Sequence, residues 1–494
     1  MPAVSIARDL AATPLRSGRL PARVATFMVV AAATALAAYS GITAAAGSKL
    51  ALVLPLSAVA AAGLGALALT RFSGYVMAML LLRASGDLAK LSGRTTGETA
   101  ARAATAHALD PSSALAVVFL LAAALWLAAQ LHRQGRLPGS PLRLALLVLC
   151  TTAALSLLGS RNRPAGVLEL LRILAAVAMF VVLEQMMAER STMRRMLTAV
   201  YLSAVFPLGF TAAGFLSGHP RAEVKGDFTR ITGTFSSSND FGRYLALLLV
   251  FGVALYPHVD RRLRPALALA LAGCAGFLAF TYTRTALLGA LIGLVVVGLV
   301  QSKRLLLVLL MLSLCAVALV PQLSSRFTSL AHTSGGDRPS GNSLEWRLQY
   351  WTEVLPLANQ NPVTGIGLGM TQYTTDTAKQ PHNDFVRAYV ETGVIGLGAY
   401  LAMLVALVGL GCRALRASPP RSLDRGIAAG FLGCAVMFVA VSATANVISN
   451  VAHLWYLFAF AAAASAAARH GRTARPGRRA TDTNQIRRLD LGDQ

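Results

Sequence analysis

The sequence predicts an all-α polytopic integral membrane protein of about 12 transmembrane helices, and three observations carry that prediction. Of its 494 residues, 55% are hydrophobic and only 13% charged, against about 25% charge in an ordinary soluble domain. Apolar runs long enough to span a bilayer recur along almost the whole chain. Lys and Arg gather in alternate short loops, the bias that marks the cytoplasmic side of a membrane. Disorder, collagen and small disulfide scaffolds are excluded at once. In a soluble chain the formal charge of +24 would point to nucleic acid; here its distribution has to be read first.

Taken in order, apolar spans fall at 113–131, 142–159, 165–186, 195–217, 242–257, 264–281, 284–301, 304–322, 390–412, 424–446 and 450–468. The basic loops between them carry Arg133, Arg136 and Arg143; Arg190, Arg194 and Arg195; Arg261, Arg262 and Arg264; Lys303 and Arg304; and Arg413, Arg416, Arg421 and Arg425. Residues 469–494 form a basic tail on the same, cytoplasmic side. Residues 1–23, with Arg8, Arg16, Arg19 and Arg23 ahead of the first apolar run, read as the cytoplasmic flank of an uncleaved signal anchor. The stretch 24–83 is nearly continuous apolar sequence broken by Gly47, Lys49, Pro55, Arg71 and Gly74. With the amino terminus inside it crosses an odd number of times, giving twelve spans or fourteen in all; twelve, with part of the stretch re-entrant, is the favoured reading. The transmembrane domain is therefore 24–468. Cys150, Cys274, Cys315, Cys412 and Cys434 lie in or beside apolar runs without paired spacing, which suits packing rather than disulfides or metal ligation.

The alternation places 160–164, 218–241, the turn Thr281 to Arg284, the long stretch 323–389 and the turn Asn446 to Asn450 on the outer face. Basic residues there run against the charge bias. Arg221, Lys225 and Arg230 precede a Gly- and Ser-rich turn, and a guanidinium among hydroxyl groups at a membrane surface suits a phosphate, which it grips with two parallel bonds. Pairing with Asp227 or snorkelling to headgroups is the plainer alternative for Arg230. Arg284 sits in a tight turn between two spans beside Thr281, Tyr282, Thr283 and Thr285; it is a site candidate or an interfacial anchor.

In 323–389, Asn342 and Glu345 have capping-box spacing, and Leu344, Leu348, Trp351 and Leu355 share a helical face. This predicts an amphipathic helix lying over the membrane and ending at Asn361-Pro362. The glycines of GIGLG, Gly367 and Gly369 among them, would let backbone amides approach an anion, though a plain turn has the same composition. Pro381 then fixes the backbone before His382, Asn383 and Asp384, with Glu391 close behind. Histidine, with an unperturbed pKa of about 6.5, takes a proton near neutral pH.

The ordered set of NPVTGIGLG (361–369), PHNDF (381–385) and ETGVIGLGAYL (391–401), with RITGTFSSSNDFG (230–242) and TYTRTALLG (281–289) upstream, resembles the O-antigen ligase and O-antigen polymerase superfamily over about 195–470. The resemblance implies a GT-C-like membrane glycosyltransferase bundle with a helical periplasmic loop at 323–389. It implies transfer of a glycan from undecaprenyl diphosphate, in lipopolysaccharide biosynthesis, at the periplasmic face of the bacterial inner membrane. Arg230 and Arg284 would then bind the diphosphate and His382 would serve as base, by inversion and without cofactor or metal, because the outer face shows no D-x-D pair. The motifs fix the donor chemistry and not the acceptor; a ligase with lipid A-core as acceptor is the favoured reading, and a polymerase or a protein O-oligosaccharyltransferase of the same superfamily is the alternative. A transporter or flippase is disfavoured, since its ionisable residues would sit near the midplane.

Secondary candidates complete the reading. Arg338 and Arg347 could hold acidic sugars or phosphates, or be solvated. Glu169 and Arg172, at i,i+3, read as an intramembrane ion pair. Trp346 and Trp351 read as interface anchors, and Asn446, Asn450 and His453 as polar helix ends near the outer face.

Overall fold

The computed structural model describes residues 62–88, 111–225, 228–319, 344–375 and 379–473. Two compact units, 1–76 and 77–494, divide the chain. In the first, the described part is a helix at 62–70 and the opening of α1 (Phe72–Arg83). The second contains everything considered below. The reading of 1–23, of most of 24–83 and of the tail beyond residue 473 lies outside the described residues.

Each span expected from 113 onward is a helix. They are α2 (Pro111–Gln134), α3 (Pro141–Ser156), α4 (Arg163–Met186), the nearly continuous pair α5 (Arg190–Leu202) and α6 (Val205–Leu216), α7 (Ser238–Leu255), α8 (Arg264–Phe280), α9 (Arg284–Gln301) and α10 (Lys303–Leu319). After the outer helix α11 (Leu344–Val354) come α12 (Asp384–Ala417), α13 (Leu423–Ser442) and α14 (Val451–Thr473). Among the described residues nine helices are long and apolar enough to cross a membrane. The span expected at 264–281 becomes a helix of 17 residues, about 26 Å long at 1.5 Å per residue and so at the lower limit for crossing, and that expected at 304–322 is helical over its described part, Lys303–Leu319. The protein is thus a multi-pass helical membrane protein.

Local chemistry sets the starts of the central helices. Asn162 caps α4 by accepting from Ala165 N, Ser237 caps α7 by accepting from Asp240 N, and Ser422 caps α13 by accepting from Arg425 N, each meeting an amide that has no partner inside its helix. Leu125, Leu144, Leu269 and Val405 are exposed on the outside of the bundle, as a lipid-facing surface requires. Packed inside are α7, α13 and α14, with Phe251 stacked on Phe460 at 3.7 Å between ring centroids.

The basic loops meet at one end of the bundle. Arg143 and Arg469 both reach Glu184, and Arg190 reaches Asp424 at 2.9 Å. The loops read as outer meet at the other end: Arg347 donates to Thr444 O, and Val447 N donates to Asp384. Sequence alternation and tertiary contact therefore sort the loops in the same way.

Two departures stand out. The segment 218–241, expected as a loop in an all-α chain, contains an antiparallel hairpin, β1 (Ala222–Lys225) with β2 (Phe228–Ile231), registered Glu223 opposite Arg230. Its strands are too short for a periodicity signal. Helix α12 begins at Asp384 rather than 390 and breaks at Gly393 (φ 67°, ψ −170°). There Val394 N donates to Pro362 O, and a Cβ on Gly393 would overlap Val363 O. Gly393→Ala is expected to lose stability by at least the roughly 1–3 kcal/mol of a left-handed backbone, with the overlap adding to it, measurable as a lower unfolding temperature in detergent.

Candidate active site

The hairpin delivers Arg230. Arg221 Nη1 donates to Gly233 O and Ser238 donates to Glu223, which ties the strands to the cap of α7. Arg230 is then buried, 3% exposed, and its guanidinium makes three directed bonds. Nε donates to Thr281 O at 2.9 Å, and an Nη donates to Asn239 Oδ1 and Thr283 Oγ1, both at 2.8 Å. Thr281 and Thr283 lie in the turn that immediately precedes Arg284, with Tyr282 in the left-handed region at φ 46°, and Asn239 lies in the first turn of α7. Arg230 is neither snorkelling nor exposed; it is locked against the turn that carries the second arginine.

A third arginine joins them. Arg347, on α11, donates to Thr444 O at 3.0 Å while its Nε is buried with no hydrogen-bond partner. Burial lowers the Arg230 pKa from the ordinary arginine value; Glu223 acts the other way and the Arg284 charge lowers it further. Arg347 is lowered by burial and then by the same Arg284 charge. Arg284 thus lies within the electrostatic reach of both. Among the described residues neither Arg230 nor Arg347 meets a carboxylate at ion-pair distance. Gathering like charges where water is thin costs free energy that an anion would offset.

Helix α11 also carries the contacts that lead to His382. Its inner side, Tyr350 and Val354 followed by Ala358, packs on Ile366, Met370 and Val390, while Leu348 and Leu355 stay exposed. The apolar face expected to lie on the membrane is therefore turned away from the protein core, and a second face, invisible as a simple stripe, holds the helix down. The Trp346 ring stacks on Tyr350 at 5.1 Å and meets the His382 ring edge-on at 6.1 Å. Trp351 Nε1 donates to Pro381 O at 2.8 Å. Both tryptophans read as interface anchors thus also contact the histidine segment. His382 has φ 53° and directly precedes Asn383, which caps α12 by accepting from Phe385 N and Val386 N.

The GIGLG turn plays a different part from the one its composition suggests. Gly367 N donates to Glu391 O and Gly369 N to Glu391 Oε2, so these amides are turned onto the protein's own helix rather than left for an anion. Glu391, 1% exposed, also accepts from Thr371 Oγ1 and from Arg387 Nε. Arg387 continues to Glu169 at 2.9 Å, Glu169 accepts from Arg172 at 3.1 Å, and Arg387 also donates to Ser449. The ion pair expected between Glu169 and Arg172 is present, and it is the outer link of a buried chain Arg172–Glu169–Arg387–Glu391.

Of the residues singled out from the sequence, the fold brings Arg230, Arg284, Arg347 and His382 to one end of the bundle. Arg221 stitches the hairpin; Asn383 caps the helix that follows His382, and Glu391 holds the turn of Gly367 and Gly369. Arg338 and the side chain of Lys225 lie outside the described residues. Sequence reading missed Arg387 and Asn239. Arg387 stands at i,i+4 from Glu391, a spacing that marks it as a pair in retrospect. Asn450 donates to Asp240, and His453 lies buried against Phe438. Among the described residues no group of three His, Cys, Asp or Glu could hold a metal ion, and Cys150, Cys274, Cys412 and Cys434 are free.

Residues 267–401 match the family model described as O-antigen ligase. That stretch runs from α8 through Arg284, Arg347 and His382 to the broken start of α12; Arg230 precedes it. No curated protein matches the chain.

Proposed function

We propose, from the match of residues 267–401 to the O-antigen ligase family model, that the chain belongs to that family and transfers a glycan from undecaprenyl diphosphate to lipid A-core oligosaccharide at the periplasmic face of the inner membrane. The observation that carries the reading is the gathering of Arg230, Arg284 and Arg347 beside a helix that touches His382. In the proposed reaction the acceptor hydroxyl oxygen bonds to the anomeric carbon as the bond from that carbon to the diphosphate oxygen breaks. His382 takes the hydroxyl proton, and the lipid diphosphate departs with the electron pair. Attack opposite the leaving group inverts the anomeric centre. Preorganised guanidinium donors stabilise the charge where it develops, the part a metal ion plays elsewhere, so the reaction is proposed to need none.

The full GT-C-like bundle of about 12 spans, with both termini cytoplasmic, belongs to the same proposal. The test is purified protein with a polyprenyl-diphosphate glycan and lipid A-core in the presence of a chelator. Glycan on lipid A-core supports the ligase; longer lipid-linked glycan without acceptor modification identifies a polymerase instead. His382→Ala is expected to lower turnover by about 10²- to 10⁴-fold, the usual contribution of a general base, with donor affinity kept. Unchanged turnover removes His382 from the chemistry.

A further inference from the structure

Resting on that reading, we propose that Trp346 is a positioning residue that sets the His382 ring for proton transfer, and that through its neighbour Arg347 it ties the base to the anion site. His382 occupies a backbone conformation that L side chains rarely adopt, so its ring direction depends on what surrounds it. On one side the backbone is held by Trp351 Nε1 on Pro381 O, on the other by the Asn383 cap. These bonds fix the main chain and do not act on the ring. The edge-on contact of the Trp346 ring with that ring limits how far it turns.

Trp346 is itself held from two further directions. Its face stacks on Tyr350, whose hydroxyl bonds Thr375 at 2.8 Å and donates to Lys379 O, and the Lys379 ammonium lies 5.0 Å over its ring. The indole is thus clamped between α11 and the segment leading into Pro381. The next residue on α11 is Arg347, whose guanidinium is anchored on Thr444 O and lies in the field of Arg284. A shift of α11 when an anion meets Arg347 would carry Trp346, and with it His382. A side chain that only filled space would lack this directional link between the anion-binding arginine and the base.

The test is a set of four full-length proteins in lipid nanodiscs: wild type, Trp346→Ala, Trp346→Phe and Trp346→Ala with His382→Ala. Turnover and affinity for a polyprenyl-diphosphate glycan are measured separately. Trp346→Ala is expected to lower kcat by about 10- to 100-fold, the scale of a misplaced reacting group, while donor affinity changes less than about threefold. Trp346→Phe, which keeps an aromatic edge, is expected to recover most of the loss. In the His382→Ala background Trp346→Ala should cost nothing more, because a group that acts through His382 has no effect once it is gone. An equal loss in both backgrounds, or a Phe variant no better than Ala, overturns the positioning role. If His382→Ala alone keeps full turnover, it is the assignment of the base that fails, a result distinct from either.

Discussion

Arg230→Ala is expected to lower glycan transfer by about 10²- to 10³-fold, the loss typical when one preorganised donor to a developing oxyanion is removed. The size follows from how the guanidinium is held. Three bonds, to Thr281 O, Asn239 Oδ1 and Thr283 Oγ1, fix its plane before any substrate arrives, so no free energy is lost in ordering it at the moment of reaction. Arg230→Lys should recover little of the activity: an ammonium keeps the charge but has no planar fork with which to hold the turn and face a phosphate together. Initial rates on a lipid-linked donor, with donor binding measured in parallel, check both variants. Lysine activity close to wild type would mean that charge alone suffices and that the directed bonds are irrelevant to transfer.

The second large effect is on stability. Arg387→Met is expected to destabilise the fold by about 3–5 kcal/mol, the usual cost of breaking a buried ion pair from one side. The methionine leaves Glu391 without its cation and deprives Glu169 of one of two, all inside the bundle end that holds the GIGLG turn and the break at Gly393. Adding Glu391→Gln should restore a good part of the loss, since the amide oxygen still accepts from Gly369 N and the amide NH2 can donate to Thr371 Oγ1, without a buried charge. Unfolding temperature in detergent and the monodisperse fraction on gel filtration measure both. An Arg387→Met protein as stable as wild type would sink the idea that this chain of charges braces the site.

These effects show where sequence reading reached and where it stopped. The spans from 113 onward were legible because a membrane helix must satisfy its backbone internally and present apolar side chains, and both requirements are written locally. The loop sorting was legible for a related reason, as charge bias is a property of each loop alone. Arg230, Arg284 and His382 stood out as polar or charged residues among hydroxyls, glycine or proline on the face where basic residues are scarce. The roles of Asn383, Gly367, Gly369 and Glu391 were not legible. Whether an amide faces an anion or a neighbouring helix depends on what lies across from it, and Glu391 lies across.

Trp346 and Trp351 make the same point. Tryptophan beside a membrane surface is the composition of an interface anchor. Only the approach of residues 379–382 to α11, bridged by Trp351 Nε1 to Pro381 O, gives the pair their contacts with the histidine segment. Arg347 was one basic residue among several in a long outer stretch until the fold set it within reach of Arg284, which comes from a turn far earlier in the chain. The sequence by itself determined the membrane-spanning helices, the sorting of loops to two ends and the kinds of residue available at the outer end. The tertiary structure decided which arginines share a site, which residues brace it and how the histidine is held, because those depend on contacts between segments distant in the chain that no local pattern encodes.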